Sequence, residues 1–210
     1  MKIAIDGTAA SGKGTLARRL AAELGLPYLD TGLIYRSLAF RLIEDGGDLS
    51  DEAAAAGAAR ALSAEDCSDR PALRTEAVGR AASSVSAFPQ VREALLAFQR
   101  DFAARPGGAV LDGRDIGTVV LPDADVKFFV TASLRERARR RAGDLGLSGD
   151  KDIAAVGEEL RARDERDMAR THAPMKAADD AYVIDTTRLS PAEVLRTACE
   201  IVDGVSGANN

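Results

Sequence analysis

Ile3-Ala4-Ile5-Asp6-Gly7-Thr8-Ala9-Ala10-Ser11-Gly12-Lys13-Gly14-Thr15 is the stretch on which the fold turns. The apolar run Lys2–Asp6 predicts a short strand that ends at Gly7. Gly14–Leu24 predicts a helix, because Leu16, Leu20 and Leu24 recur every four residues before Gly25 and Pro27 stop it. Between strand and helix, the glycines let the backbone curl so that successive N–H groups point inward. Such a loop at a helix start is a cradle for phosphate oxygens. Gly7, Thr8, Ala9, Ala10, Ser11, Gly12, Lys13, Gly14 and Thr15 are therefore the candidate ATP-binding residues. Lys13 is the group that reaches the outer phosphates and the first catalytic candidate. The general pattern has Ser or Thr directly after the lysine. Here Gly14 takes that place, so Thr15 is the candidate hydroxyl for Mg²⁺. ATP as donor and Mg²⁺ as cofactor are the expected ligands.

Further along, Tyr28-Leu29 predicts a second strand, and Asp30 or Thr31 a cap for a helix reaching about Glu44. Asp51–Leu62 predicts an alanine-rich helix, and Ser63–Leu73 a polar, irregular loop. Thr75–Ala87 and Pro89–Arg105 predict two more helices. Ala109–Leu111 and Val126–Val130 predict buried strands, and Ser133–Gly143 and Lys151–Arg170 arginine-rich helices. Tyr182–Asp185 completes the strands, Pro191–Val202 is a last helix, and the tail Gly204–Asn210 is expected to fray. Short apolar strands alternating with helices imply an α/β fold: a parallel five-stranded sheet flanked by helices.

Of the 210 residues, 46% are hydrophobic and 29% charged, and the formal net charge is -5. That is globular composition. An acidic chain is a poor match to a nucleic-acid backbone, so none is expected as a partner. Two distant cysteines, Cys67 and Cys199, fit a reduced compartment. No stretch reads as a secretory segment or is long enough to span a bilayer, so a cytoplasmic chain without membrane contact is expected; a monomer is a separate expectation.

Four further segments sharpen the reading. They are Leu29-Asp30-Thr31-Gly32-Leu33-Ile34-Tyr35-Arg36, Phe88-Pro89-Gln90-Val91-Arg92-Glu93-Ala94-Leu95, Asp112-Gly113-Arg114-Asp115-Ile116-Gly117-Thr118, and Arg163-Asp164-Glu165-Arg166-Asp167-Met168-Ala169-Arg170 followed by Ala173-Pro174. With Gly-Lys-Gly-Thr, they make the chain resemble the bacterial cytidylate kinases, among the nucleoside monophosphate kinases, from Ile3 to about Leu189. The resemblance implies one kinase domain over 1–210. Its core would be 1–30, 106–135 and 180–205, its acceptor-binding region 31–105 and its lid region 136–172. It also implies small nucleotides as partners. Asp115 and Ser83 would then meet the exocyclic amine of cytosine, and Arg92 the ring acceptors. Arg36, Arg114 and Arg170 would bind the acceptor phosphate, with Arg114 and Arg170 also catalytic. Arg163 and Asp167 would meet the sugar, and Thr31 and Tyr35 would join the acceptor site. Tyr35 reads equally as a core residue. Uracil reverses donor and acceptor along part of the base edge and would leave buried groups unpaired.

Two departures from the family stand out. Ser63–Ala72 is too short for the small β-rich insertion many relatives carry, so the monophosphate-binding lid is expected to be reduced. Thr8 stands where relatives often have proline.

Arg163, Arg166, Asp167 and Arg170 are spaced to share one helix face, which suits charge neutralisation during phosphoryl transfer. Arg135 and Arg137, in the preceding helix, read as solvated salt-bridge residues. Gly143–Lys151 suits a short closing lid. His172 needs no catalytic role, because the attacking atom is a phosphate oxygen that is already ionised near neutral pH. Two rival readings stay open: a kinase of this fold acting on another monophosphate or a small metabolite, and a non-catalytic, nucleotide-dependent regulator.

Overall fold

The computed structural model describes residues 1–63 and 66–208. The strands are β1 (Lys2–Gly7), β2 (Tyr28–Asp30), β3 (Ala109–Gly113), β4 (Val126–Thr131) and β5 (Tyr182–Asp185). They form one sheet in the order β2-β3-β1-β4-β5, with β1 parallel to β3 and β4, and β4 parallel to β5. Ile3, Ala4 and Ile5 are all 0% exposed. A continuous apolar run of this kind fits a central strand covered on both faces. Chain connections part to opposite sides of β1, so its carboxyl end opens at a topological switch point, where α/β sheets bind ligands.

The chain forms two compact units, Met1–Leu29 with Ala103–Asn210, and Asp30–Phe102. In the first, α1 (Lys13–Leu24), α6 (Leu134–Asp144), α7 (Asp150–Met168) and α8 (Pro191–Ala208) accompany the sheet. Leu16, Leu20, Val110, Phe128, Ile184, Val194 and Ala198 share its main core. Gly25, at φ 63, ends α1 and lets Leu26 N–H return to the Ala21 carbonyl. α8 runs past the expected stop at Val202, through Gly204, to Ala208. Ile201 and Val205 continue its apolar stripe onto the core, and that burial outweighs the low helix propensity of Gly204. Of the tail expected to fray, Asn209 and Asn210 lie outside the described residues.

The second unit is helical: α2 (Thr31–Glu44), α3 (Glu52–Arg60), α4 (Glu76–Val85) and α5 (Pro89–Ala103). Asp30, Asp51 and Thr75 cap α2, α3 and α4 by accepting from Leu33, Ala54 and Val78 N–H. The segment expected to be an irregular loop contains a 3₁₀ turn at Pro71–Arg74, anchored by Leu73 at 0% exposure. Ala64 and Glu65, also in that segment, lie outside the described residues.

Candidate active site

Two glycines shape the phosphate loop. At Gly7, φ is 152 and a Cβ would lie 2.0 Å from the Val130 carbonyl oxygen, so β4 excludes any side chain there. Gly12, at φ 91, turns the chain into α1. The Thr8 and Ser11 hydroxyls are buried and find no hydrogen-bond partner among the described residues. Buried hydroxyls are ordinarily paired, so these two fit a loop shaped for a polar ligand. Arg140 Nη1 and Thr186 Oγ1 both approach the Ser11 carbonyl, at 3.4 and 2.8 Å.

Lys13 Nζ lies 3.5 Å from Asp112 Oδ2, and the Tyr28 hydroxyl donates to Asp112 Oδ1 at 2.9 Å. A Cβ at Gly14 would sit 3.5 Å from the same Asp112 oxygen. Asp112 is the next-to-last residue of β3, at 2% exposure, and the sequence alone gives it no role. The legible signal was a carboxylate closing an apolar strand, where burial is costly unless the charge is used. Thr15 is exposed.

Asp6 likewise has no role legible in the sequence. Its two carboxylate oxygens accept from Ile116 and Gly117 N–H, each at 2.8 Å. That ties the end of β1 to an unexpected π-helical turn, Ile116–Val120, which follows Asp115. π turns recur at functional sites. Burial pushes the Asp6 carboxyl up to about 7; the Asp115 charge adds to this, while the two N–H bonds and Arg114 oppose it. Asp115 itself is buried.

Arg114 and Arg170 converge on Asp167. Arg114 Nε donates to Oδ2 at 3.0 Å, and Arg170 pairs with Oδ1. Burial alone would raise the Asp167 pKa, but Arg114, Arg170 and Arg163 outweigh it and hold the carboxyl below its ordinary value. The trio presents net positive charge on a fixed frame, suited to a phosphate dianion. The expected shared helix face is corrected in part. α7 ends at Met168, so Arg170 stands beyond it, and Arg166 is exposed. Arg163 is on α7 and half-buried. Arg135 is exposed as expected, but Arg137 is not solvated. It is buried in an ion pair with Asp164, because the turn of α6 aims it inward, at α7.

In the second unit, Arg36 stands on α2, Ser83 on α4 and Arg92 on α5. Arg36 donates to the Leu73 carbonyl at 2.8 Å. A Cβ at Gly79 would come within 3.2 Å of its guanidinium, so the glycine makes room for it. Ser83 follows one turn later on α4; its hydroxyl is buried without a partner among the described residues. Arg92 donates to the Ser86 carbonyl at 3.1 Å and lies over the Tyr35 ring at 5.6 Å. Tyr35 is thus both a core residue, at 9% exposure, and the platform under Arg92. Thr31 is buried at the start of α2.

No helix among the described residues is long and apolar enough to cross a membrane. Residues 3–204 match the family described as Cytidylate kinase. A cytidylate kinase of Methylocella silvestris is 58% identical over 204 residues, covering 97% of this chain and 94% of the relative. One from Rhodopseudomonas palustris (strain BisB18) is 54% identical over 206 residues, covering 98% and 97%. Among solved structures, an uncharacterized protein from Eubacterium ventriosum matches with a TM-score of 0.57 at 12% identity, covering 97% and 98%. A gluconokinase from Sinorhizobium meliloti matches at 0.51 and 15% identity, covering 100% and 97%. Both likenesses concern the fold.

Proposed function

The chain belongs to the cytidylate kinase family, and from that premise we infer that it transfers the γ-phosphoryl group of ATP to CMP, giving CDP and ADP. We extend the acceptor to dCMP. An ionised oxygen of the CMP phosphate forms the new bond to the γ-phosphorus as the bond to the β–γ bridging oxygen breaks, and the electron pair leaves with ADP. No general base is needed. Lys13 and the loop N–H groups hold the donor phosphates. Arg36, Arg114 and Arg170 take the acceptor phosphate, and Arg114 and Arg170 stabilise charge as it shifts. By the family's pattern, Ser83, Arg92 and Asp115 read cytosine, Arg163 and Asp167 face the sugar, and Thr31 and Tyr35 complete the acceptor side.

The convergence of Arg114 and Arg170 on Asp167 carries this reading. A nucleotide-dependent switch needs no second anion site in the unit that holds its phosphate loop.

The donor set near the loop fits Mg²⁺. It offers the exposed Thr15 hydroxyl and the Asp112 carboxylate, and Mg²⁺ typically takes one or two such protein ligands while keeping waters and phosphate oxygens. When bound, the ion would neutralise the donor phosphates. We place the enzyme in the cytoplasm as a monomer.

A panel of acceptors at saturating ATP tests the assignment. CMP should exceed UMP and AMP in kcat/KM by roughly a hundredfold, since each buried polar group left unpaired costs about 1–3 kcal/mol. Arg92→Ala should reduce kcat/KM for CMP while leaving the KM for ATP unchanged. Equal efficiency on AMP and CMP would break the cytidylate assignment.

A further inference from the structure

Ala9 is gripped through both of its backbone groups. Its N–H donates to Asp164 Oδ1 at 3.2 Å, and its carbonyl accepts from Arg137 Nη1 at 3.1 Å. The same guanidinium pairs with Asp164 Oδ2, and its Nε donates to the Ala132 carbonyl at 3.0 Å. Arg137 thus ties together the loop, the residue after β4 and α7. Both side chains of the pair are buried, at 8% and 7% exposure.

Stability alone is a weak reason for such a pair. A buried ion pair is often no better than apolar residues of similar volume. Ala9, Ala138, Ala142, Val156 and Leu160 already pack together, so apolar side chains would have company here.

The next residue supplies a reason of another kind. Ala10 has φ 59, in the left-handed region, although it carries a Cβ. A non-glycine residue stays there only when its surroundings over-determine it, and such strain gathers at ligand clamps. Ala10 is fixed from both sides: Ala9 by Arg137 and Asp164, and Ser11 by Thr186 and Arg140.

We propose that Arg137 and Asp164 are positioning residues for the phosphate loop: by holding both backbone groups of Ala9, they keep Ala10 strained and the loop in its phosphate-binding shape. This rests on the reading of Gly7–Thr15 as the ATP site. The pair acts through Ala9 and needs no contact with the nucleotide.

The test separates stability from donor binding. Arg137→Met, Asp164→Leu and the double variant are compared by thermal unfolding and by calorimetric titration with a non-hydrolysable ATP analogue without acceptor. Each single variant should be strongly destabilised, because it strands one buried charge. The double variant should regain most of that stability and still bind the analogue roughly tenfold or more weakly, as expected when a loop loses its set geometry. Recovery of both stability and analogue affinity would overturn the proposal and leave a purely structural ion pair. Arg137→Lys provides an independent arm, should the double variant not fold. It keeps the charge but cannot span Ala132, Ala9 and Asp164 at once. It should stay folded with a raised KM for ATP and an unchanged KM for CMP, and wild-type affinity for the analogue would overturn the proposal. Lys13→Ala distinguishes the underlying reading. If it binds the analogue as tightly as wild type, the loop is not the donor site and the proposal falls with it.

Discussion

Replacing Asp167 with alanine removes a carboxylate on which Arg114 and Arg170 converge. Asp167 is 2% exposed, and the arginine side chains are 15% and 7% exposed. Their charges would remain buried with that partner gone. Breaking a buried pair from one side costs about 3–5 kcal/mol, whereas a surface pair is worth about 1 kcal/mol or less. Set against a total stability of roughly 5–15 kcal/mol, the variant should be severely weakened but measurable. Urea unfolding should show a lower midpoint with an unchanged m-value. Coupled kinetics should show a raised KM for CMP, since both arginines lose their fixed aim. The effect also depends on pH. The Asp167 pKa is depressed in the fold, so its contribution is complete above the unfolded carboxylate value of about 3.9 and is lost as pH falls through the lower folded pKa. The stability gap between wild type and Asp167→Asn should therefore shrink below about pH 4. A loss under about 1 kcal/mol for Asp167→Ala at neutral pH would refute the reasoning, because it would mean that the arginines are as well solvated without it.

Lys13→Ala should keep the fold, by circular dichroism, and lose most turnover, because it removes a charge aimed at the transferring group; near-normal activity in a folded variant would sink the phosphate-loop mechanism. For Asp6 the sign is the reverse of that for Asp167. Its pKa is raised from 3.8 to about 7, so the fold holds a proton that the unfolded chain has released, and stability should fall as pH rises between these values. At about 1.4 kcal/mol per unit, the decline is on the order of 4 kcal/mol, and Asp6→Asn should flatten it in unfolding curves taken from pH 4 to 7. An unchanged slope in that variant would remove Asp6 as its source.

The sequence by itself determined the strand–loop–helix that starts the chain and the parallel α/β class, and it supplied the residue types of the candidate site. These rest on local rules: apolar period, glycine spacing and the chemistry of lysine, hydroxyl and arginine. The cap at Asp30 was legible in the same way, as one of two candidates with Thr31, whereas Asp51 and Thr75 read as first residues of helices that they in fact cap. Partnerships between distant residues were not. Arg137 looked solvated because its helix is rich in charge, and only the packing of α6 on α7 shows that it is buried. Asp6, Asp112 and Asp164 each read as one acid among many until the fold brought Ile116, Lys13 and Ala9 to them. The continuation of α8 to Ala208 and the π turn after Asp115 were likewise set by tertiary contacts rather than propensity. A charge or a backbone group gains its role from what is buried against it, and burial is settled by contacts remote in sequence, which no local pattern encodes.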